Sequence, residues 1–430
     1  MLTAATSLDV PFPAAEGAET GLNCGDAERD TLRRLVEEHL TEQGFVFSNG
    51  HILAPVLDDK DRIRALHDSA VKDRRARSEA ALCRHEDEFL SHIAFGSEID
   101  VSKITPALVP VMGSRGLEPL LWRWCSLHWS IPVSSGYGRR LRYLIIDRAH
   151  ENKIMGLIGL ADPVFGMRSR DEWVGWDWER RKTALTNVMD AFVLGAVPPY
   201  SGLRGAKLAA LLATSTEIKN AFHDRYGHRR TIISQRSPNA SLALITTTSA
   251  LGRSSVYNRL WRPDKKLAFQ PVGFTLGSGD FHLSGSIYSI LAEYAKRNGL
   301  SERTQRHQRW PGYESGSPRS RRAVFDCAMT SLGFDPKALR LHGIRRQVFA
   351  APLMANAASF LGGRDSEPEW QSLSMAELSG WWVERWAIPR ASQDEEWREF
   401  LPESWRLWNT LSDQRVSRWS HSAQVKTWKL

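Results

Sequence analysis

Cysteines are scarce in this sequence and lie far apart. Four occur among 430 residues, and none lies in a CxxC motif or in a cluster with histidines. Zinc sites and disulfide frameworks need such groupings. We therefore expect neither, and a reducing cytoplasm is the compartment that fits this pattern.

Long apolar runs and nucleotide-binding loops are lacking as well. No stretch approaches the roughly 18 apolar residues that a membrane span needs, so we expect no membrane partner. The sequence contains neither a Walker A motif nor GxGxxG, the glycine patterns that hold nucleotide phosphates. The cofactor, if there is one, is therefore unknown from sequence.

Positive charge is concentrated in one part of the chain. The net charge is +8, and residues 202–350 hold about 24 Lys and Arg against about 9 Asp and Glu. A local positive field attracts polyanions and gains free energy from counterion release when it binds phosphates. We interpret this segment as binding nucleic acid, DNA rather than RNA; a solvated basic face is the alternative.

The pattern of apolar residues predicts an α+β protein in four parts. Residues 1–28 are expected to be a mobile leader, and residues 29–130 a helical N-terminal module. Strand and helix patterns alternate over residues 131–290, which predicts a central mixed sheet. Residues 291–430 are predicted to be a basic connector and a C-terminal helical, Trp-rich region.

Within the central part, two apolar runs on either side of RAHENK predict a β-hairpin. Residues 170–194 are predicted to form one helix, and residues 202–227 another helix that glycine opens. Two further strands are predicted within residues 241–252 and 268–282. The sheet is therefore expected to combine strands from both halves of this region.

The C-terminal tryptophans follow one another at spacings near three to five and eight to eleven residues. Buried helix faces produce such spacings, although tryptophans can also stack on bases. We predict that these residues belong to the core: Trp381, Trp382, Trp386, Trp397, Trp405 and Trp408.

Small and basic residues meet where the glycine-opened helix is predicted to begin. There Gly205 leaves backbone amides open, and Arg204 and Lys207 add charge, which predicts a phosphate or carboxylate site. A turn that merely precedes a buried helix is the alternative. A second polar segment follows a predicted strand, and we expect it to face the same pocket; it contains Arg253, Tyr257 and Arg259.

Isolated carboxylates provide a further set of candidates. Asp171 is a candidate catalytic residue, and paired carboxylates at Asp147, Asp162, Asp171 and Asp190 could act as a general base or bind a cation. However, Asp171 and Asp190 are predicted to share one helix at least five turns apart. We therefore assign no metal site.

Two histidines are candidates for proton transfer or phosphate binding. His282 ends the segment GDFH, and His342 precedes Arg345 in LHGIRRQVF. An imidazole titrates near neutral pH, which suits both roles, whereas a lone histidine is more often structural.

Four segments of the central region together resemble one known family. They are GYGRRLRYLIID, LALITTTSALGRSSVYNRL, GFTLGSGDFH and LHGIRRQVF. In this order they closely resemble the DruA proteins of the Druantia anti-phage defence system, with similarity from about residue 33 to about residue 360. The resemblance implies a defence role and no particular reaction.

The order of predicted elements also resembles the GNAT acyltransferase fold. That resemblance places Arg204, Gly205 and Lys207 in the loop that binds a cofactor pyrophosphate, and Tyr257 where such enzymes often have a general-acid tyrosine. The sequence here is GLRGAK rather than RxxGxG/A, so anion binding is implied more clearly than a coenzyme.

Three functions remain open from the sequence. The first is a defence protein that binds nucleic acid through a basic central surface. The second is an enzyme, an acyl-type transferase or a metal-dependent nuclease, with Tyr257, Asp171 and His282 as candidate catalytic residues. The third is a scaffold that recruits other defence proteins through its helical flanks.

Overall fold

A seven-stranded sheet lies at the centre of the structure. The computed structural model describes residues 24–48, 51–55, 59–133, 138–230, 239–275, 277, 281–283, 285–298 and 318–408. Apart from a small hairpin of β1 (Val46–Ser48) and β2 (His51–Leu53), the strands are β3 (Pro106–Pro110), β4 (Arg140–Asp147), β5 (Lys153–Ala161), β6 (Val188–Ala196), β7 (Leu244–Thr248), β8 (Gln270–Phe274) and β9 (Gln347–Pro352).

The strands of the large sheet follow the order β3-β4-β5-β6-β7-β9-β8. Neighbouring strands are antiparallel except β6 and β7, which are parallel. The predicted α+β class with a central mixed sheet is thereby confirmed.

The hairpin predicted around RAHENK is β4 and β5, which pair from Arg140↔Ala161 to Asp147↔Lys153. Glu151 and Asn152 adopt φ angles of 50° and 58°, the left-handed conformation that tight reversals require. Every residue of β5 after Lys153 is buried, because both faces of the sheet are covered at this point.

The single helix predicted over residues 170–194 is wrong. The structure has two short helices, α5 (Arg168–Val174) and α6 (Trp178–Ala184), followed by strand β6. Gly175 ends α5 with a φ of 70°, and its lack of a Cβ makes that angle inexpensive. The chain then enters the sheet, where β6 pairs on both sides.

This change of element moves a carboxylate from a helix to the sheet. Asp190 lies in β6, whereas Asp171 lies in α5. The prediction that both residues share a helix is therefore wrong. Side chains of β6 alternate between buried and partly buried positions, which is the strand period and not the helical one.

The N-terminal region also differs from its prediction, because it contributes strand β3 at the sheet edge. Pro106 and Pro110 bound this strand, and proline is tolerated on an edge strand while it disfavours a helix interior. The rest of residues 29–130 is largely helical. The helices are α1 (Cys24–Glu42), α2 (Lys60–Leu82), α3 (Glu86–Ser91) and α4 (Leu117–Ser126).

The later helices cover both faces of the sheet or pack beside it. They are α7 (Gly205–Leu212), α8 (Thr216–Phe222), α9 (Ser286–Arg297), α10 (Pro318–Ser331), α11 (Pro336–Arg340), α12 (Ala357–Gly362), α13 (Met375–Trp382) and α14 (Ile388–Gln393). Tyr143 and Ile145 of β4 pack in the core that includes α7, α8 and α13. The intervening Leu144 packs in the core of α3 and α4, so these two helical layers lie on opposite faces.

A third core joins the N-terminal helix α1 to the helices that precede β9. Leu40 of α1, Leu291 of α9, Met329 of α10 and Leu339 of α11 are buried together. The Arg33 guanidinium also donates to the carbonyl of Leu332, 3.0 Å away. Segments that the sequence assigned to an N-terminal module and a C-terminal region therefore share one core.

The C-terminal tryptophans divide into two groups. Trp382, Trp397 and Trp408 are buried, which confirms their predicted place in the core. Trp381, Trp386 and Trp405 are partly buried and pack against the edges of the cores, so the prediction holds for them only in part.

A buried carboxylate fastens the C-terminal segment to α3. Glu86 accepts hydrogen bonds from the indole of Trp124 at 2.9 Å and from the amides of Leu407 and Trp408 at 2.7 and 3.2 Å. Its side chain is 1% exposed. These donors have few other acceptors available, because the surroundings exclude water.

We predict that Glu86→Ala lowers the free energy of unfolding by about 3 kcal/mol, since it leaves three donors without their acceptor. Urea denaturation measures the change. Glu88→Ala is the matched control, because the Glu88 side chain is 47% exposed and its loss should cost less than about 0.5 kcal/mol. Equal midpoints for both variants would contradict the prediction.

Candidate functional site

The start of α7 and the connection from β7 to β8 meet at one lysine. The Lys207 ammonium donates to the carbonyl of Val256 at 3.1 Å and lies 5.5 Å from the ring centre of Trp386. Arg204 is close enough to influence it electrostatically. The structure thus brings together the two polar segments that the sequence singled out.

Lys207 is held in a partly dehydrated environment. Burial, followed by the nearby charge of Arg204, lowers the pKa of Lys207 from its usual range. Each effect disfavours the ammonium. An anion bound beside these two residues would offset the repulsion between their charges.

The backbone part of the predicted anion site is not formed as expected. The amide of Gly205 donates to the Tyr200 carbonyl at 2.9 Å, and the amide of Lys207 to the Arg204 carbonyl at 2.9 Å. A Cβ on Gly205 would lie 2.7 Å from the Tyr200 carbonyl oxygen and 2.9 Å from the Ala196 Cβ. Gly205 therefore allows close packing, and side chains are left to bind an anion.

Exposed cations lie on the two chain segments that meet here, and together with the half-buried Lys207 we call them the basic loop surface. Arg253 and Arg259 precede a tight turn that carries Lys265 and Lys266, and the amide of Arg262 closes that turn on the Lys266 carbonyl at 2.9 Å. The basic loop surface consists of Arg204, Lys207, Arg253, Arg259, Lys265 and Lys266.

Arg345 lies next to this surface. The Gly252 carbonyl accepts a 2.9 Å hydrogen bond from the Gln347 amide, which places the turn before Arg253 beside the strand that follows Arg345. The Arg345 guanidinium is exposed and lies 5.4 Å from the ring centre of Phe274.

Tyr257 lies in the core instead of on the surface. Its ring packs against Phe269 and Phe349, with ring centres 5.0 and 5.1 Å away. Burial raises the pKa of Tyr257 to about 12. The backbone of this segment reaches Lys207, but the tyrosine side chain is enclosed by aromatic rings.

Both carboxylate oxygens of Asp171 accept hydrogen bonds from several donors. Its Oδ1 accepts from Arg170 and from the Trp176 indole, and its Oδ2 accepts from Arg181 at 2.6 Å and from the Met167 amide at 3.0 Å. Burial opposes ionisation, yet these partners, first of all Arg170, hold the pKa of Asp171 below its ordinary value. This carboxylate stabilises the loop around α5.

The two candidate histidines lie in the region where α1 and α2 approach the segment before β9. The His282 ring centre is 5.2 Å from that of Phe45 and 6.3 Å from that of His342. Burial, together with His342 and His39, lowers the pKa of His282 to about 3. The Nδ1 of His342 accepts from the Ile344 amide at 3.1 Å, and both rings are buried.

The three predicted catalytic residues do not meet. Tyr257 packs with α7 and α8, Asp171 with its arginines at α5, and His282 against Phe45 of the third core. Their catalytic roles stay predictions. The geometry gives no shared position at which one substrate would contact all three.

Asp190 is a more unusual carboxylate than those in the predicted site. The Thr246 hydroxyl donates to its Oδ1 at 2.7 Å, and Arg170 lies nearby. Burial raises the pKa of Asp190 to about 6, against the opposing effects of Thr246 and Arg170. The residue is nevertheless partly open to solvent. A single acid in the middle of an apolar strand was the sequence signal, but the predicted helix concealed it.

The other two acids of the set have structural partners. Asp147 accepts from the Tyr200 hydroxyl at 3.0 Å and from His150 at 2.7 Å, and Asp162 pairs with Arg139 at 2.6 Å. Among the residues that the structure describes, no group of three or more His, Cys, Asp or Glu is arranged to hold a metal ion.

These features define a mixed α+β protein with a basic loop surface beside the central sheet. Residues 57–363 match the family described as "Druantia protein DruA". The chain is also 39% identical over 369 residues to Druantia protein DruA of Escherichia coli (strain UMEA 4076-1), covering 85% of this chain and 89% of that protein. The chain belongs to the DruA family of the Druantia anti-phage defence system.

No solved structure matches the chain. Within the described ranges, each helix is too short or too polar to cross a bilayer. The match to the DruA family confirms the resemblance seen in the sequence, and it covers β3 to β9 together with α2 and most of the helices that pack on the sheet.

We predict that Asp190→Asn stabilises the protein above pH 6. In the unfolded chain the pKa of Asp190 is about 3.9, whereas in the folded protein it is about 6. The folded state therefore loses stability from this group as pH rises between these values. The variant should gain about 1 to 3 kcal/mol at pH 7.5 and little at pH 4.

Chemical denaturation of both proteins at pH 4, 5, 6 and 7.5 measures this difference. The Asn oxygen can still accept from the Thr246 hydroxyl, so the hydrogen bond remains available. A variant that is less stable than the parent at every pH would show that the carboxylate is held in its charged form.

Proposed function

We propose that this DruA family member binds nucleic acid through the basic loop surface as its part in anti-phage defence, and that DNA is preferred to RNA. The contact between Lys207 and the Val256 carbonyl carries this proposal, because it joins two basic segments into one surface. Other proteins of the Druantia system are further proposed partners.

Charge balance around this surface supports an anionic ligand. Asp264 lies within the same turn as Lys265 and Lys266, but the buried Arg262 binds both of its oxygens, at 3.1 and 2.6 Å. Arg262 therefore compensates the negative charge of Asp264. The positive charges of Lys265 and Lys266 remain in excess in this turn. Such a surface binds phosphates without reading sequence.

We further propose that the sheet is GNAT-like. The hairpin β4–β5 is followed by β6, then by α7 opened by Gly205, and then by β7 parallel to β6. This order supports the likeness that the sequence indicated. The internal hydrogen bonds of the Gly205 and Lys207 amides favour phosphate binding by side chains over a backbone loop for a coenzyme.

An enzymatic activity is a second candidate, and Asp190 is the observation that favours it. A half-buried carboxylate whose pKa is raised to about 6 can take up or release a proton near neutral pH. Labelled DNA incubated with Mg²⁺ or Mn²⁺, and calorimetry with acetyl-coenzyme A, test the nuclease and transferase forms. Absence of product and of heat would remove both.

We predict that Arg253→Gln combined with Lys265→Gln weakens DNA binding and its salt dependence. Each lost phosphate contact reduces the slope of log affinity against log salt by about 0.7 to 0.9. The double variant should therefore lose about 1.4 to 1.8 from the slope and bind roughly ten to a hundred times more weakly at low salt.

The control variant removes the same number of positive charges from a helix instead of the basic loop surface. Arg64→Gln with Lys72→Gln removes two cations from α2, where each has an acidic partner. This control should bind like the parent in fluorescence anisotropy from about 25 to 300 mM salt. Equal weakening in both double variants would show a response to net charge alone, and no binding at low salt would end the proposal.

A further inference from the structure

Three tryptophans, one exposed and two that are partly buried against the core, lie close together next to the basic loop surface. The Trp381 indole nitrogen donates to the Trp261 carbonyl at 2.8 Å, and the rings of Trp381 and Trp386 meet edge to face with centres 6.2 Å apart. We call Trp261, Trp381 and Trp386 the tryptophan strip. Lys207 connects it to Val256, because its ammonium lies over the Trp386 ring.

Trp261 is the most accessible member of the strip. The residue is 46% exposed, although its main chain forms an antiparallel bridge with Leu267. The buried Arg262 fixes this turn to Asp264 and to the Gln371 carbonyl. A large aromatic ring is therefore exposed on a turn that hydrogen bonds hold in place, whereas Trp382, next to Trp381, is fully buried.

Cations occupy both ends of the strip. Lys207, with Arg204 close by, lies at the Trp386 end, and Lys265 and Lys266 lie in the turn that follows Trp261. Aromatic rings flanked by positive charges complement a polymer in which flat bases alternate with phosphates. An apolar protein partner would match the rings and leave these charges without counterparts.

We propose that the tryptophan strip stacks on unpaired bases, so that the ligand of this surface is single-stranded nucleic acid. This inference rests on the proposed function and specifies its substrate class. Base faces inside a duplex are already stacked on each other and present only their edges in the grooves. A single strand can place a base on Trp261 and another on Trp386, while its phosphates contact the flanking lysines.

The roles of the three tryptophans differ. Trp261 and Trp386 offer ring surface, while Trp381 is a positioning residue because its indole nitrogen fixes the backbone at Trp261. Replacing the Trp261 side chain does not remove this hydrogen bond, since the acceptor is the main-chain carbonyl. Trp261→Ala is thus the cleanest test of stacking.

The experiment compares the full-length protein on two ligands of equal length. Fluorescence anisotropy measures binding to a labelled 20-nucleotide oligothymidine strand and to a 20-base-pair duplex at about 50 mM salt. The parent should bind the single strand more tightly. Trp261→Ala should weaken single-strand binding about 5- to 100-fold, as the loss of one stacked base predicts, and should leave duplex binding within about twofold.

Two further variants separate stacking from folding. Trp386→Phe keeps a ring and should retain most of the affinity that Trp386→Ala loses. Trp178→Ala is the matched control, because Trp178 is 54% exposed and has a lysine ammonium 3.5 Å from its ring centre, but lies on α6. It should bind both ligands like the parent.

The possible failures are distinguishable. If neither ligand binds at low salt, the proposed function itself fails. If both bind while Trp261→Ala and Trp386→Ala bind the single strand like the parent, nucleic-acid binding stands and the stacking inference is overturned. An equal loss in Trp178→Ala, or capture of a Druantia protein that requires the strip, would also overturn it.

Discussion

The short parallel pairing between β6 and β7 is the constraint on which the rest of the architecture depends. Only three residue pairs form it, from Val188↔Leu244 to Asp190↔Thr246, yet it joins the strands β3 to β6 with β7, β9 and β8. The Thr246 hydroxyl adds a bond to Asp190, and the Thr247 hydroxyl adds one to the Ala191 carbonyl. Because parallel strands need a crossover, α7 must lie beside this junction, and its Lys207 is brought to the β7–β8 connection.

Local sequence patterns predicted an element correctly where the turn residues and the strand period agree. Two apolar runs around RAHENK predicted the β4–β5 hairpin, since turn chemistry and strand period agree there. They were insufficient for β6, where VMDAFVLGA follows two helices and no glycine or proline marks the boundary between α6 and the strand. The strand character of β6 arises from its neighbours on both sides, which lie far away in the sequence.

The candidate site was predictable in its location and less so in its chemistry. Sequence reasoning grouped Lys207 with the segment of Tyr257, and the structure places these segments in contact. It could not tell which atoms meet: the backbone of that segment receives the lysine while the tyrosine ring enters the core. Likewise, helical spacing predicts the same burial for Trp382 and Trp386. Only the packed structure distinguishes the buried indole of Trp382 from the partly exposed indole of Trp386.

The core shared by α1, α9 and α10 has a consequence for how the protein is made. Arg33 bonds to the carbonyl of residue 332, so α1 leaves the ribosome long before the helices that cover its apolar face have been synthesised. At roughly 5 to 20 residues per second, the intervening 299 residues take about 15 to 60 seconds to synthesise. During that interval Leu40 and its neighbours stay uncovered, and contacts of such long separation form late and slowly. The apolar face of α1 therefore stays exposed on the nascent chain until the last third of the sequence has been synthesised.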